Sequence, residues 1–179
     1  RTTLERAAAG LSPARVDRMN TSFDIFEKLD MPTGKEEEWR YVSLDRDLRS
    51  LDLASGTADR LAEGGFLQAV TERDSTSVIV DGVTVETGSG EATVTAIRDL
   101  DDEVAAEVAS LFAVDRDLFA AARASFGVDG VRVATTPGQV VSRPVVIDVQ
   151  AVEPAASFPS IDIRAAENSE LSVIVVLRS

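Results

Sequence analysis

The sequence contains no cysteine and no histidine, and this double absence removes most of the chemistry that a chain can carry alone. Disulfides and thiolate nucleophiles are excluded outright. A Ser-His-Asp or Cys-His arrangement needs an imidazole that is not there. Zinc sites draw on thiolate or imidazole in nearly every case, and iron–sulfur clusters on cysteine with histidine as the usual substitute. Phosphate-cradling glycine loops are missing as well. Gly88-Ser89-Gly90 precedes Glu91 and leads toward a strand, whereas the fingerprint must open a helix. Lysine is almost absent, at positions 28 and 35 only, and the chain has a single tryptophan and a single tyrosine. No catalytic, cofactor-binding or metal-ligating residue is therefore assigned, and the chain is expected not to be an enzyme.

Long apolar runs are also missing. A bilayer span needs about 18 to 20 apolar residues, and the longest β-type run, Ser172 to Leu177, is far shorter. The start, RTTLERAAAG, carries charges where a secretory signal would be apolar, so a cytoplasmic location is expected. Positive charge is scarce: 18 basic residues stand against 31 acidic ones, for a net charge of −13. Such a field repels phosphate backbones and anionic bilayers, so neither nucleic acid nor membrane is expected as a partner. What is present, 44% hydrophobic and 27% charged residues over 179 positions, is the balance of a folded protein with one core or a core and a smaller appendage.

The patterning predicts an α+β chain. Ser12 as N-cap and Pro13 in the first turn open a helix whose stripe is Val16, Met19, Phe23, Phe26 and Leu29, ending before Pro32. Leu44, Leu48 and Leu51 suggest a helical turn or two, and residues 58–67 a short helix interrupted by Gly64-Gly65. Asp81-Gly82 between Ser77–Val80 and Val83–Glu86 supplies the positive φ angles of a two-residue hairpin, and Ala92–Ile97 is expected as a third strand of that sheet. Asp101 or Asp102 caps the next helix, with Val104, Val108 and Leu111 inward. Asp115 caps the one after it, with Leu118, Phe119, Ala122 and Phe126 inward and Gly127 as its stop. Carboxylates at exposed helix starts lack the contrasting environments that acid–base catalysis requires.

The stretch between these helices, MPTGKEEEWRYVSL, is unusual in composition. Trp39 and Tyr41 sit two apart, as neighbours on one face of an extended segment would. They serve as an aromatic clamp that pins a loop to the core, in preference to a stacking platform for a cofactor. Glu36, Glu37 and Glu38 point apart and lack the alternating spacing of a calcium loop, so they form a solvated face.

After Gly127 the texture changes. Period-2 strands replace helical spacing at 131–134, 145–151, 161–164 and 171–177, which divides the chain into an N-terminal α/β domain, 1–127, and a β-rich part, 128–179. The strand starts are too irregularly spaced to demonstrate a repeat. In the last stretch Leu171, Val173, Val175 and Leu177 face one way and Ile174 and Val176 the other, a pattern that calls for cover on both faces. The chain is therefore expected to be a piece cut inside a sheet, with an exposed edge prone to edge-to-edge self-association.

Pro32-Thr33, Lys35, Glu38-Trp39-Arg40-Tyr41 and Leu44, placed shortly after an amphipathic helix, resemble the signature near the start of SufD-type members of the SufB/SufD family. The order downstream is similar too: Val78 to Gly82, then Leu118 to Ala121 through Phe126 to Val131, then Val140 to Val145 and Ala166 to Leu171. The resemblance implies a scaffold subunit of the SUF iron–sulfur cluster assembly system. It implies an N-terminal α/β domain followed by the first rungs of a truncated right-handed parallel β-helix. Partners would be SufB-like and SufC-like (ATPase) subunits, engaged through later parts of the parent, and the cluster would be handled by the parent complex. Pro32, Glu38, Trp39, Arg40 and Tyr41 enter as a structural signature only. The competing reading is a stand-alone α+β module that binds a partner through a β edge. A carboxylate-dependent hydrolase would need paired inward acids, whereas Asp148 and Asp162 fall opposite the apolar face.

Overall fold

The structure, a computed structural model, describes residues 2–42, 47–62 and 64–179. The chain runs through helices α1 (Thr2–Ala7), α2 (Pro13–Phe26) and α3 (Phe66–Ala69), then strands β1 (Ser75–Val80), β2 (Val83–Glu86) and β3 (Thr93–Ala96). Helices α4 (Asp102–Ser110) and α5 (Leu118–Phe126) follow, and then strands β4 (Gly130–Ala134), β5 (Val145–Gln150), β6 (Ser160–Arg164) and β7 (Val173–Arg178). The protein is thus α+β, with two mixed sheets. Among the described residues no helix is long and apolar enough to cross a membrane.

Contacts divide the chain into a helical unit, 1–53 with 101–128, and a strand unit, 54–100 with 129–179. The segment 129–179 carries β4 to β7. The hairpin and third strand belong with it, because β1 pairs with β5 and β3 with β4.

In the helical unit Ser12 caps α2 by accepting from the Arg15 N–H at 3.3 Å, with Pro13 in the first turn. The helix stops at Phe26, three residues before the expected Leu29, and Arg49 donates to the carbonyls of Phe26 (3.2 Å) and Leu29. A guanidinium there satisfies carbonyls the helix leaves open. Phe23, Phe26 and Phe126 pack ring to ring at 5.7–6.0 Å, which fastens α2 to α5. Asp101 caps α4, accepting from Val104 N at 2.8 Å. Asp117, two residues beyond the expected Asp115, caps α5 through Ala120 N at 2.8 Å. Capping requires the side chain at the residue that immediately precedes the first helical one, and that residue is Leu118. On α4 the buried positions are Ala105 and Val108, while Leu111 is half exposed. On α5 they are Leu118, Ala121, Ala122 and Ser125. Leu44 lies outside the described residues, Leu48–Ser50 form one 3-10 turn, and the helix expected over 58–67 is reduced to α3.

In the strand unit Asp81 (φ 48°) and Gly82 (φ 86°) make the two-residue turn that joins β1 to β2. The order β2-β1-β5-β7 forms one sheet and β3-β4-β6 the other, so β3 leaves the hairpin's sheet and pairs antiparallel with β4. The parallel pairs β4·β6 and β5·β7 alternate between the sheets, so that each strand–corner–strand segment makes one coil and the second coil stacks on the first. The corners match: Gly138 (φ 74°) and Asn168 (φ 55°) both take the left-handed conformation, and Val140 bridges Glu170 in parallel. Gly130 pairs with Ser160 and Val145 with Val173, so the offset falls from 30 residues to 28 along the coil. The two residues by which the offset falls lie in the first coil, before β5. Ile79, Ala92, Val131, Val133, Val141, Val145 and Ile147 form the core of the unit. Segment 54–62 crosses the ends of β5 and β7, held by Leu61 N to Gln150 Oε1 (2.6 Å) and Arg178 Nη1 to Ala62 O (2.8 Å).

Candidate functional site

The signature segment folds from Thr33 onward as a turn closed by its own side chains. The Glu36 carboxylate accepts the Thr33 N–H at 3.0 Å, which positions the 3-10 turn Glu37–Trp39. Hydrogen bonds from the Glu36 and Thr33 backbone N–H groups hold the Glu36 carboxyl below its ordinary value of 4.5. Trp39 stacks on Phe119 of α5, with ring centroids 4.9 Å apart and planes 26° from parallel. Glu38 pairs with Arg116 at 3.1 Å and Arg40 with Glu37 at 2.7 Å, both on the surface. Pro32 is half-buried at the entry to the turn. Tyr41 is 88% exposed, so the two rings do not share one face. The 3-10 turn rotates Tyr41 away from the side on which Trp39 docks. Trp39 alone is the clamp.

A second group of residues, in the strand unit, escaped sequence reasoning. Asp129 is completely buried and accepts from Thr84 N (2.9 Å), Thr84 Oγ1 (3.3 Å), Arg98 N (3.4 Å) and Arg98 Nε (2.9 Å). One carboxylate thereby joins β2, the segment after β3, and the start of β4. Asp74 does similar work, accepting from Glu91 N at 2.6 Å and Ala92 N at 3.3 Å. Asp81 accepts from Val152 N at 2.7 Å and Glu153 N at 3.2 Å. No family model matches this chain, and no curated protein does. The sequence signal available for Asp129 was its neighbour Gly130, where φ is 139° and a Cβ would overlap the Ser160 backbone.

The outward acids Asp148 and Asp162 are buried rather than solvated. Asp148 accepts from Arg178 Nε at 2.8 Å and Gln150 Nε2 at 2.6 Å. Asp162 accepts from Arg164 Nε at 2.9 Å and lies 3.5 Å from Arg132 Nη1. Arginine supplies a planar fork suited to paying back the hydration that a buried carboxylate loses. Each of these acids is engaged by donors of the chain itself, an arrangement that fixes strands and corners in place. Among the described residues no group of three or more His, Cys, Asp or Glu could hold a metal ion.

Proposed function

We propose that the chain is a non-enzymatic scaffold segment, the SufD-like N-terminal part of an iron–sulfur cluster assembly subunit. The observation that carries the reading is the pair of stacked strand–corner–strand coils with matched left-handed corners at Gly138 and Asn168. Two sheets built by alternating parallel strands are how a β-helix begins, and an α/β region before them agrees with the resemblance. The Trp39–Phe119 stack and the Asp81-Gly82 turn give the signature motifs structural work that needs no ligand. On this reading the chain holds no cofactor. The cluster is cargo of the parent complex, and the SufB-like and SufC-like partners engage later parts of the parent.

Two measurements test this. The parent's coding sequence should continue beyond Ser179 with further coils of about the same length and then a helical tail. The intact parent should co-purify with a SufC-like ATPase, whereas residues 1–179 should not. A stop codon directly after Ser179, or capture of the ATPase by residues 1–179 alone, would overturn the reading.

The alternative, an interaction module that binds through a β edge, is favoured by one observation. Val175 and Leu177 on β7 are 44% and 77% exposed.

A further inference from the structure

Residues 54–62 are fastened to the strand unit mainly by its side chains. The segment forms neither helix nor strand, and none of its residues is buried. Among the described residues its main chain meets the main chain of the unit once, from Ala54 N to Ala156 O at 2.9 Å. Beyond that point side chains hold it. The Glu153 carboxylate accepts Ser55 N at 2.9 Å and Ser55 Oγ, and Glu86 pairs with Arg60 at 2.5 Å. Gln150 Oε1 accepts Leu61 N at 2.6 Å, and Arg178 Nη1 donates to Ala62 O at 2.8 Å. Gly56 (φ 67°) and Gly65 (φ 56°), one toward each end, bend the chain through the left-handed region.

Gln150 and Arg178 belong to one row of the sheet, Val80–Gln150–Arg178, across β1, β5 and β7. Alternation places that row on the face opposite the core, whose members on these strands are Ile79, Val145 and Ile147. Val80 and Gln150 are nevertheless buried. A buried amide needs a partner at both of its ends. Within the sheet Gln150 Nε2 donates to Asp148 at 2.6 Å, and Arg178 turns Nε and Nη2 to the same acid. The amide oxygen and Nη1 are directed instead at the N–H of one residue and the C=O of the next. Those are groups that every peptide carries. Side-chain choice is left to Glu86, which takes the cation of Arg60, and to Glu153, which takes the hydroxyl of Ser55.

We propose that residues 54–62 are a strap that fills, in cis, a seat for a peptide segment of a partner protein, and lifts from it as a unit. The occupant that the seat fits carries a hydroxyl residue and, further along, a basic residue followed by an apolar one. Two carboxylates, Glu86 and Glu153, face it, so a cationic segment is the complement. Lifting breaks no strong bond. The Arg60–Glu86 pair is exposed on both sides, and single hydrogen bonds to side chains are individually modest. The main-chain ladders of β1, β5 and β7 stay intact when the strap leaves. Being tethered, the strap competes at a high effective concentration, so the seat stays closed until the strap is loosened or a partner displaces it. This inference rests on the strand unit alone and stands independently of the scaffold reading.

Two measurements on the 179-residue chain test it. In hydrogen exchange read by mass spectrometry, the amides of 55–62 should exchange together, at least about a hundredfold faster than those of β5. The second uses a fluorescent peptide with the sequence of residues 54–62 as probe, followed by anisotropy. Arg60→Ala, which loosens the strap at an exposed side chain, should bind the probe at least about tenfold more tightly than the wild type does. Adding Glu86→Ala should remove that gain, because the arginine of the probe then loses its partner, and a scrambled peptide should not bind. Circular dichroism checks that the folds match; should Arg60→Ala fail to fold, Ser55→Ala decides. Exchange of 55–62 only together with β5, equal binding by the wild type and the loosened variant, a gain that survives Glu86→Ala, or equal uptake of the scrambled peptide would each overturn the proposal. None of these outcomes involves the ATPase, so the scaffold reading is judged separately.

Discussion

Arg98 and Asp129 are joined at 2.9 Å from Nε to Oδ2, the acid completely buried and the guanidinium 44% exposed. Because the same acid also holds the backbone N–H groups of Thr84 and Arg98, removing it orphans donors from two strand ends at once. Asp129→Ala should lower unfolding free energy by about 3 kcal/mol. That is the low end for breaking a buried pair, since Arg98 can rehydrate. Arg98→Ala should cost less, because the carboxylate keeps its other donors. Urea titration of both variants checks the order.

Trp39 and Tyr41, two residues apart, should behave oppositely on truncation. Trp39→Ala loses the stack on Phe119, and a double-mutant cycle with Phe119→Ala should return a coupling of about 0.5–1.5 kcal/mol. Tyr41→Ala should change stability by less than about 0.5 kcal/mol, as the ring lies in solvent.

The corner and strand-start glycines should separate strain from collision. At Gly138 a Cβ meets nothing, so Gly138→Ala should cost only the left-handed backbone penalty of about 1–2 kcal/mol. Asn168→Gly, at the equivalent corner, should be nearly neutral. Gly130→Ala forces a Cβ into the Ser160 carbonyl and should cost about 3 kcal/mol or more. Thermal unfolding of the three variants gives the ranking.

Glu36 supplies a pH test. Its folded-state value lies below the ordinary 4.5, so the unfolded chain takes up a proton first as pH falls. The contribution is present above the ordinary value and is lost as pH drops through the folded one. An NMR titration should place Glu36 below a free glutamate. Thr33→Val should raise it only part of the way, because the two backbone donors remain.

Much of the local structure was legible in the sequence. Ser12-Pro13, Asp81-Gly82 and the four late strands are set by caps, turns and alternation, all local signals, and they form where expected. Pairing was less legible. Nothing near Thr93–Ala96 says that β3 must join β4 rather than β2, because the choice depends on which sheet offers a free edge after the chain returns from α5. The parallel pairing of β4 with β6 and of β5 with β7 was hidden by the change of offset from 30 to 28 residues, which leaves no strict period in the sequence. Asp115 and Asp117 have the same chemistry and nearly the same place, so composition could not choose between them. The carboxylates that hold the strand unit together were missed for a general reason. A buried acid looks like a surface acid until its donors, in the case of Asp129 as many as 45 residues away, are known.

The pairing of β1 with β5 bears on how the polypeptide can be dissected. Ribosome-order folding cannot complete that sheet when β1 emerges, since its parallel neighbour is synthesised only after both α4 and α5. A nascent β1–β2 hairpin must wait with one flank bare, and loop closure across the intervening helices slows the step that rescues it. A single cut between residues 127 and 129 also divides the strand unit. It would leave the hairpin on one product and its partner strand on the other, so the strand unit should re-form only by complementation, on mixing the two halves.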